Sequence, residues 1–108
     1  MNEQRVLKQF AEQITMQFDV YAMSIYKDTE KVYGTAEDAL TIDRCLALTC
    51  TSIFKEQDSA LFVTQIHVGA HCYMILLHSH TSTAFDGLDA RYIIEEAKRL
   101  QKRLGEMA

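Results

Sequence analysis

The hydrophobic pattern is most regular over residues 60–80, where two apolar segments flank a single Gly-Ala step. Two such segments around a short glycine-containing turn predict a β-hairpin. With Gly69 and Ala70 as the turn, His67 lies opposite Cys72, and alternation sorts the side chains onto two faces. Because neither face is polar along its whole length, we expect helices to cover this sheet on both sides.

Helical spacing marks both ends of the chain. Over residues 2–17 apolar side chains recur every three or four positions, which predicts an amphipathic helix. A second amphipathic helix is predicted after the hairpin, with its cap within residues 81–83 and its end near Gly105. We expect both helices on one face of the sheet. The apolar stripe of the second helix comprises Phe85, Leu88, Tyr92, Ile93, Ala97, Leu100 and Leu104.

Aromatic and β-branched residues are frequent over residues 18–27, which predicts a strand. The polar residues 27–30 interrupt this pattern before a short segment at residues 31–34. Together the two segments predict a second hairpin whose returning strand is short.

The middle of the chain, residues 35–59, admits two interpretations. Thr35 followed three residues later by Asp38 resembles a capping box, so a helix is expected to begin here. Helical spacing continues to about residue 55, but residues 49–54 are also alternating and β-branched enough for a strand. The sheet has four strands in the first interpretation and five in the second, which we favour.

These elements predict an α+β fold in the order αββα(β)ββα, an antiparallel four- or five-stranded sheet sandwiched between helices. Over residues 43–50 the middle helix is apolar on nearly every side, although a helix that covers a sheet should present a polar face outward. Its surplus apolar positions predict contact with another chain, most simply in a dimer. The predicted contact residues are Leu40, Arg44, Ala47, Leu48 and Thr51.

Composition narrows the class of protein. The 108 residues, 48% of them hydrophobic, suit one domain spanning residues 1–108. A net charge of −4 without a basic stripe argues against a nucleic-acid partner. The charged amino terminus lacks the apolar core of a signal peptide or membrane span, so we expect a cytoplasmic protein. The three cysteines lie among apolar neighbours, as packed and reduced thiols do.

Residues suited to catalysis or metal binding are few in this sequence. His78 and His80 share a strand face and could occupy two positions on Zn²⁺ or Cu²⁺, but a third ligand is missing, and a strand end emerging into solvent explains them more simply. His67 and Cys72 form a base–thiol pair, yet an apolar sheet face supports a thiolate poorly. We therefore expect a non-enzymatic protein without catalytic residues, metal or cofactor.

Three segments resemble the roadblock family, the small dynein light chains and the bacterial or archaeal regulators of Ras-like GTPases. Residues 19–28 are similar to the family's first strand and acidic turn, and residues 67–71 to the glycine turn before its last strand. Residues 87–91, Gly-Leu-Asp-Ala-Arg, are similar to the Gly-Leu-x-x-Arg that opens its last helix. The family's first turn usually contains Asp-Gly, whereas this chain has Asp28 followed by Thr29.

The resemblance implies a five-stranded sheet between helices. It also implies a homodimer or heterodimer formed through the middle helix, which is the second helix in the chain, and the third strand. The expected function is a non-enzymatic dimeric scaffold or regulatory subunit that binds a small Ras-like GTPase. Two alternatives remain open. A type III-like secretion chaperone, which holds an extended effector segment, is also a small, acidic, dimeric α+β protein, and a sheet of this layered kind can also serve as a small ligand-sensing domain.

Overall fold

The computed structural model describes residues 2–34 and 51–107. These residues form two helices and five strands in an α+β arrangement. The helices are α1 (Glu3–Gln17) and α2 (Leu88–Met107). The strands are β1 (Ala22–Lys27), β2 (Glu30–Gly34), β3 (Ser52–Glu56), β4 (Ser59–Val68) and β5 (His71–Ser79).

The five strands form one antiparallel sheet in the order β2-β1-β5-β4-β3. Its centre is the predicted hairpin of β4 and β5, which turns at Gly69 and Ala70 and pairs His67 with Cys72. The predicted register is confirmed, because alternation of apolar side chains fixes which residues can face the core together. The open choice in the middle of the chain is also settled in favour of five strands, since residues 52–56 form β3.

Both helices pack on one face of the sheet, as expected. The buried side of α1 includes Leu7 and Ile14, and that of α2 includes Ile93 and Leu100. These side chains join one core cluster with sheet residues such as Phe62, which is fully buried. Burying a large apolar side chain contributes about 1.5–3 kcal/mol, so this shared core is the main source of stability in the described residues.

The opposite face of the sheet carries a second buried cluster. Tyr26, Val63, Met74 and Leu76 form it, with Leu61 packed against its margin. The sequence pattern predicts that the middle helix, which begins at about residue 35, covers this face, and residues 35–50 lie outside the described residues. In the described ranges, no helix combines the length and apolar character needed to cross a membrane.

The start of α2 differs from the sequence prediction. The predicted cap at residues 81–83 is wrong, because α2 begins only at Leu88, after Gly87 with a φ of +55°. A right-handed helix cannot extend back through a residue with that φ. Phe85, predicted to lie on the helical stripe, is instead buried in the preceding connection with its ring centroid 5.4 Å from that of Phe62. Leu88, predicted on the same stripe, is 77% exposed.

Candidate interaction surface

Strand β3 lies at one end of the strand order and pairs with β4 alone among the described strands. Glu56 and Ser59 close this hairpin around a two-residue turn, and such a closing pair exchanges both hydrogen bonds. Because hydrogen-bonded and non-hydrogen-bonded pairs alternate along antiparallel strands, the N–H and C=O groups of Ile53 and Lys55 face away from β4. The outer side of β3 therefore presents a row of backbone donors and acceptors.

The side chains of β3 reinforce this edge. Ile53 is 36% exposed and Phe54 is 38% exposed, so two large apolar side chains at adjacent positions of this strand are partly accessible to solvent. Ile53 pairs with Phe62 and shares the helix-covered face, whereas Phe54 pairs with Leu61 and shares the opposite face. An apolar side chain is thus available on each side of the sheet at the same edge.

Two contacts fix β3 in place on the rest of the molecule. The Lys55 ammonium forms a salt bridge with the carboxylate of Asp86, in the connection before α2. At the start of the strand, the hydroxyl oxygens of Thr51 and Thr64 are 2.8 Å apart, within hydrogen-bond distance. The edge is therefore held in a defined position before any partner arrives.

The other edge, β2, is built differently. Its register with β1 shifts between Ile25 and Tyr26, so that Val32 is an extra, bulged residue. The amide of Gln4, on α1, donates a 2.6 Å hydrogen bond to the carbonyl of Val32. A bulge and a side chain bonded to an edge carbonyl both obstruct the addition of another strand. The β2 edge is consequently protected.

The turn that leads into β2 is anchored to β5. The Asp28 carboxylate accepts a 3.0 Å hydrogen bond from the backbone N–H of Cys72, and its other oxygen pairs with Nδ1 of His71. These hydrogen bonds lower the pKa of the Asp28 carboxyl below its usual value. The bond from Cys72 has the larger effect and the bond to His71 the smaller. Asp28 and Thr29 have φ of +51° and +82°, as a type I′ turn requires.

The residues predicted to form a partner contact are mostly outside the described residues. This applies to Leu40, Arg44, Ala47 and Leu48, so their role stays a prediction. Thr51 is described, and its hydroxyl contacts Thr64 within the sheet. The resemblance implies a dimer contact through the third strand, which is β3, but the sequence analysis did not name Ile53 or Phe54 as contact residues.

The histidines do not assemble into a metal site in the described part of the chain. His80 stacks on Tyr21, with ring centroids 3.8 Å apart and planes 8° from parallel, and the ring of His78 lies 6.0 Å from that of Tyr21. Within residues 2–34 and 51–107, no group of three or more His, Cys, Asp or Glu side chains is placed to hold an ion.

Cys72 lies across from His67, as the hairpin register predicted, but its thiol contacts a different neighbour. The Cys72 sulfur is 3.8 Å from the amide oxygen of Gln65. Burial, and secondarily the charge of Asp28, raise the pKa of this thiol. A raised thiol pKa lowers the fraction of nucleophilic thiolate, so the surroundings of Cys72 do not activate its thiol.

Comparison with known proteins adds no assignment to this geometry. No protein-family model matches the chain, and no curated protein matches it. The candidate interaction surface therefore rests on the geometry of β3, and the roadblock resemblance stays an expectation.

Proposed function

We propose that the protein is a non-enzymatic scaffold or regulatory subunit that dimerises along β3 and binds a small Ras-like GTPase. The observation that carries the dimer is the contrast between a protected edge at β2 and an open, apolar edge at β3. The GTPase partner rests on the resemblance of residues 19–28 and 87–91 to the roadblock family.

The chemistry of β3 favours a second copy of this chain in one register. Antiparallel pairing about a two-fold axis at Phe54 places Phe54 opposite its own copy and Ile53 opposite Lys55 of the other subunit. All five residues of β3 are then paired, and the aromatic pair adds about 0.5–1 kcal/mol. An axis at Lys55 would instead place two like charges directly opposite, which is unfavourable.

Light scattering on wild type and on Phe54→Lys tests the dimer. We expect a wild-type dimer at micromolar concentration and a monomeric variant, because the axis would bring two lysines together. Met16→Lys is the matched control, since Met16 is an apolar residue of α1 that is 84% exposed and distant in sequence from β3. A wild-type monomer, or a dimer that survives Phe54→Lys, contradicts the assignment of β3 to the interface.

The GTPase partner needs its own experiment. Immobilised wild-type protein should retain a Ras-like GTPase loaded with one nucleotide form, GDP or a non-hydrolysable GTP analogue, more than the other. Retention without any nucleotide dependence, or no retention, contradicts a regulatory role toward such GTPases. This assay measures GTPase binding and not the oligomeric state, so it tests the partner separately from the dimer.

An open strand edge also supports a second function, that of a secretion chaperone. Such an edge can accept an extended segment of another protein as an added strand. If this function is correct, an immobilised wild-type chain should capture extended peptides of alternating apolar residues, and Phe54→Lys should weaken that capture. Capture of folded GTPase but not of peptide favours the scaffold.

The predicted stripe on the middle helix has a separate test. Leu48→Asp should also dissociate the dimer if Leu40, Ala47 and Leu48 meet the same residues of a second copy, because a charge would be buried in an apolar contact. A variant that remains dimeric removes this helix from the interface while leaving the role of β3 open to the Phe54 experiment.

A further inference from the structure

A cleft of about 260 Å³ opens at the end of the sheet that carries the β1–β2 and β4–β5 turns. It lies between these strands and the ends of both helices, where Glu3 begins α1 and Met107 ends α2. Pockets for drug-sized ligands usually have volumes of about 300 Å³ or more, so this cleft suits a smaller ligand. Because the cleft does not involve β3, a ligand bound there would add a function beyond the proposed scaffold.

One side of the cleft is apolar. Val68 and Leu104 are core residues that reach its surface with 8% and 4% of their area exposed, and Met107 lies at the mouth and is 38% exposed. A short aliphatic chain placed against these three side chains would leave water, which is favourable by roughly 25 cal/mol per Å² of apolar area. This side therefore selects for a branched or linear alkyl group.

The other side presents two opposite charges next to each other. The Lys27 ammonium is 3.6 Å from a carboxylate oxygen of Glu3, which is longer than a hydrogen bond. The same ammonium lies 5.6 Å from the centroid of the Tyr73 ring. Both charged side chains are partly buried, with 29% of Lys27 and 31% of Glu3 exposed. They form an ion pair without a direct hydrogen bond, so each retains hydrogen-bonding capacity toward a ligand.

Tyr73 fixes the carboxylate of this pair. Its hydroxyl donates a 2.5 Å hydrogen bond to Glu3. Burial, together with this hydrogen bond to Glu3, raises the pKa of the Tyr73 phenol, so the hydroxyl remains a donor. At the rim, His71 is oriented by the bond of its Nδ1 to Asp28. The polar wall is thus preorganised by side chains that the proposed dimer does not use.

We propose that this cleft binds a zwitterionic α-amino acid with an aliphatic side chain. The ligand carboxylate pairs with Lys27, the ligand ammonium pairs with Glu3, and the aliphatic group lies against Val68, Leu104 and Met107. The ligand carries its opposite charges on one α-carbon, and this arrangement matches the opposite charges of two neighbouring side chains of the cleft. A simple carboxylate would meet Glu3 as a like charge, and a simple amine would meet Lys27, so both are disfavoured.

The probe for this site is L-leucine, titrated into the full wild-type chain and followed by methyl NMR and calorimetry. We expect shifts of the methyl signals of Val68, Leu104 and Met107, with saturation by about 10 mM. Three analogues each lack one recognition element: 4-methylpentanoate lacks the ammonium, 3-methylbutylamine lacks the carboxylate, and glycine lacks the chain. Each should bind about tenfold or more weakly than leucine.

Substitutions of Lys27 and Glu3 test whether this ion pair binds the ligand. Lys27→Met and Glu3→Gln should each weaken leucine binding about tenfold or more, and Glu3→Gln keeps an acceptor for Tyr73. The controls are Lys8→Met and Glu12→Gln, which remove a pair 4.0 Å apart on an exposed part of α1 and should leave binding unchanged. No shift at the cleft methyls, equal affinity for 4-methylpentanoate, or equal loss in the control variants overturns the proposal.

Discussion

The sheet ends in β2 on one side and in β3 on the other, and these strands differ in the features that govern whether an edge pairs with another chain. β2 has a bulge at Val32, whose carbonyl is bonded to Gln4 of α1. β3 keeps a regular register over all its residues and exposes Ile53 and Phe54. The same sheet therefore carries one edge that resists strand addition and one that permits it.

Residues with positive φ flank β2, and within residues 51–107 none flanks β3. Thr29, in the turn before β2, has a φ of +82°, and Gly34, at its end, has a φ of +101°. A β-branched residue with such a φ is strained by about 1–2 kcal/mol. In the described residues, positive φ outside glycine occurs only in this turn. Among the described residues, this strain is therefore confined to the β2 side of the sheet.

The largest expected effect on stability comes from adding a Cβ atom at Gly34, at the end of β2. In Gly34→Ala the new Cβ would lie 2.1 Å from the carbonyl oxygen of Met23, and the φ of +101° is strained for alanine. We expect the free energy of unfolding to fall by about 3 kcal/mol or more, measured by urea denaturation. Gly69→Ala is the control, because its Cβ meets nothing within 4 Å, and it should cost only about 1 kcal/mol. Equal losses would contradict the close packing of Gly34.

The second prediction concerns a substitution that would block strand addition at β3, as the bulge and the Gln4 hydrogen bond do at β2. Ile53→Pro removes the outward N–H and the side chain, whereas Ile53→Ala removes the side chain alone. We expect the dimer dissociation constant to rise about 100-fold for proline and about tenfold for alanine, measured by sedimentation equilibrium. Proline is tolerated on edge strands, so each subunit should keep its fold, as circular dichroism can check. Equal effects of the two variants would mean that β3 contributes side chains but no backbone pairing.

The two edges also differ in how far the sequence could predict them. The β4–β5 register follows from alternation, since a one-residue slip would turn the apolar side chains away from the core. β3 is ambiguous in the sequence because residues 49–54 satisfy the helical and the strand period equally well. The hydrogen bond from Gln4 to Val32 joins residues 28 positions apart, and no local pattern encodes it. The prediction that Phe85 lies on the helical stripe is wrong because helical spacing alone does not reveal where a helix begins.

The strain in the turn before β2 can be relieved directly. Thr29→Gly should raise the free energy of unfolding by about 0.5–1 kcal/mol, because glycine adopts a φ of +82° without steric cost. This net gain already subtracts the greater conformational freedom that glycine gives the unfolded chain. Thr29→Asn should give a smaller gain, since asparagine tolerates this region better than threonine but less well than glycine. Loss of stability in Thr29→Gly would show that the threonine side chain contributes more than its backbone strain costs.

The smallest expected effect concerns the anchor of the same turn. The carboxyl of Asp28 has a folded-state pKa below its ordinary 3.8, chiefly because of the Cys72 N–H and then His71. A carboxyl with a depressed folded pKa contributes stability that is complete above 3.8 and is lost as the pH falls through the folded value. The difference in urea midpoint between wild type and Asp28→Asn should therefore shrink below pH 3.8. Asp58→Asn, in the β3–β4 turn, is the control, and parallel pH profiles for the two variants would contradict the anchoring role of Asp28.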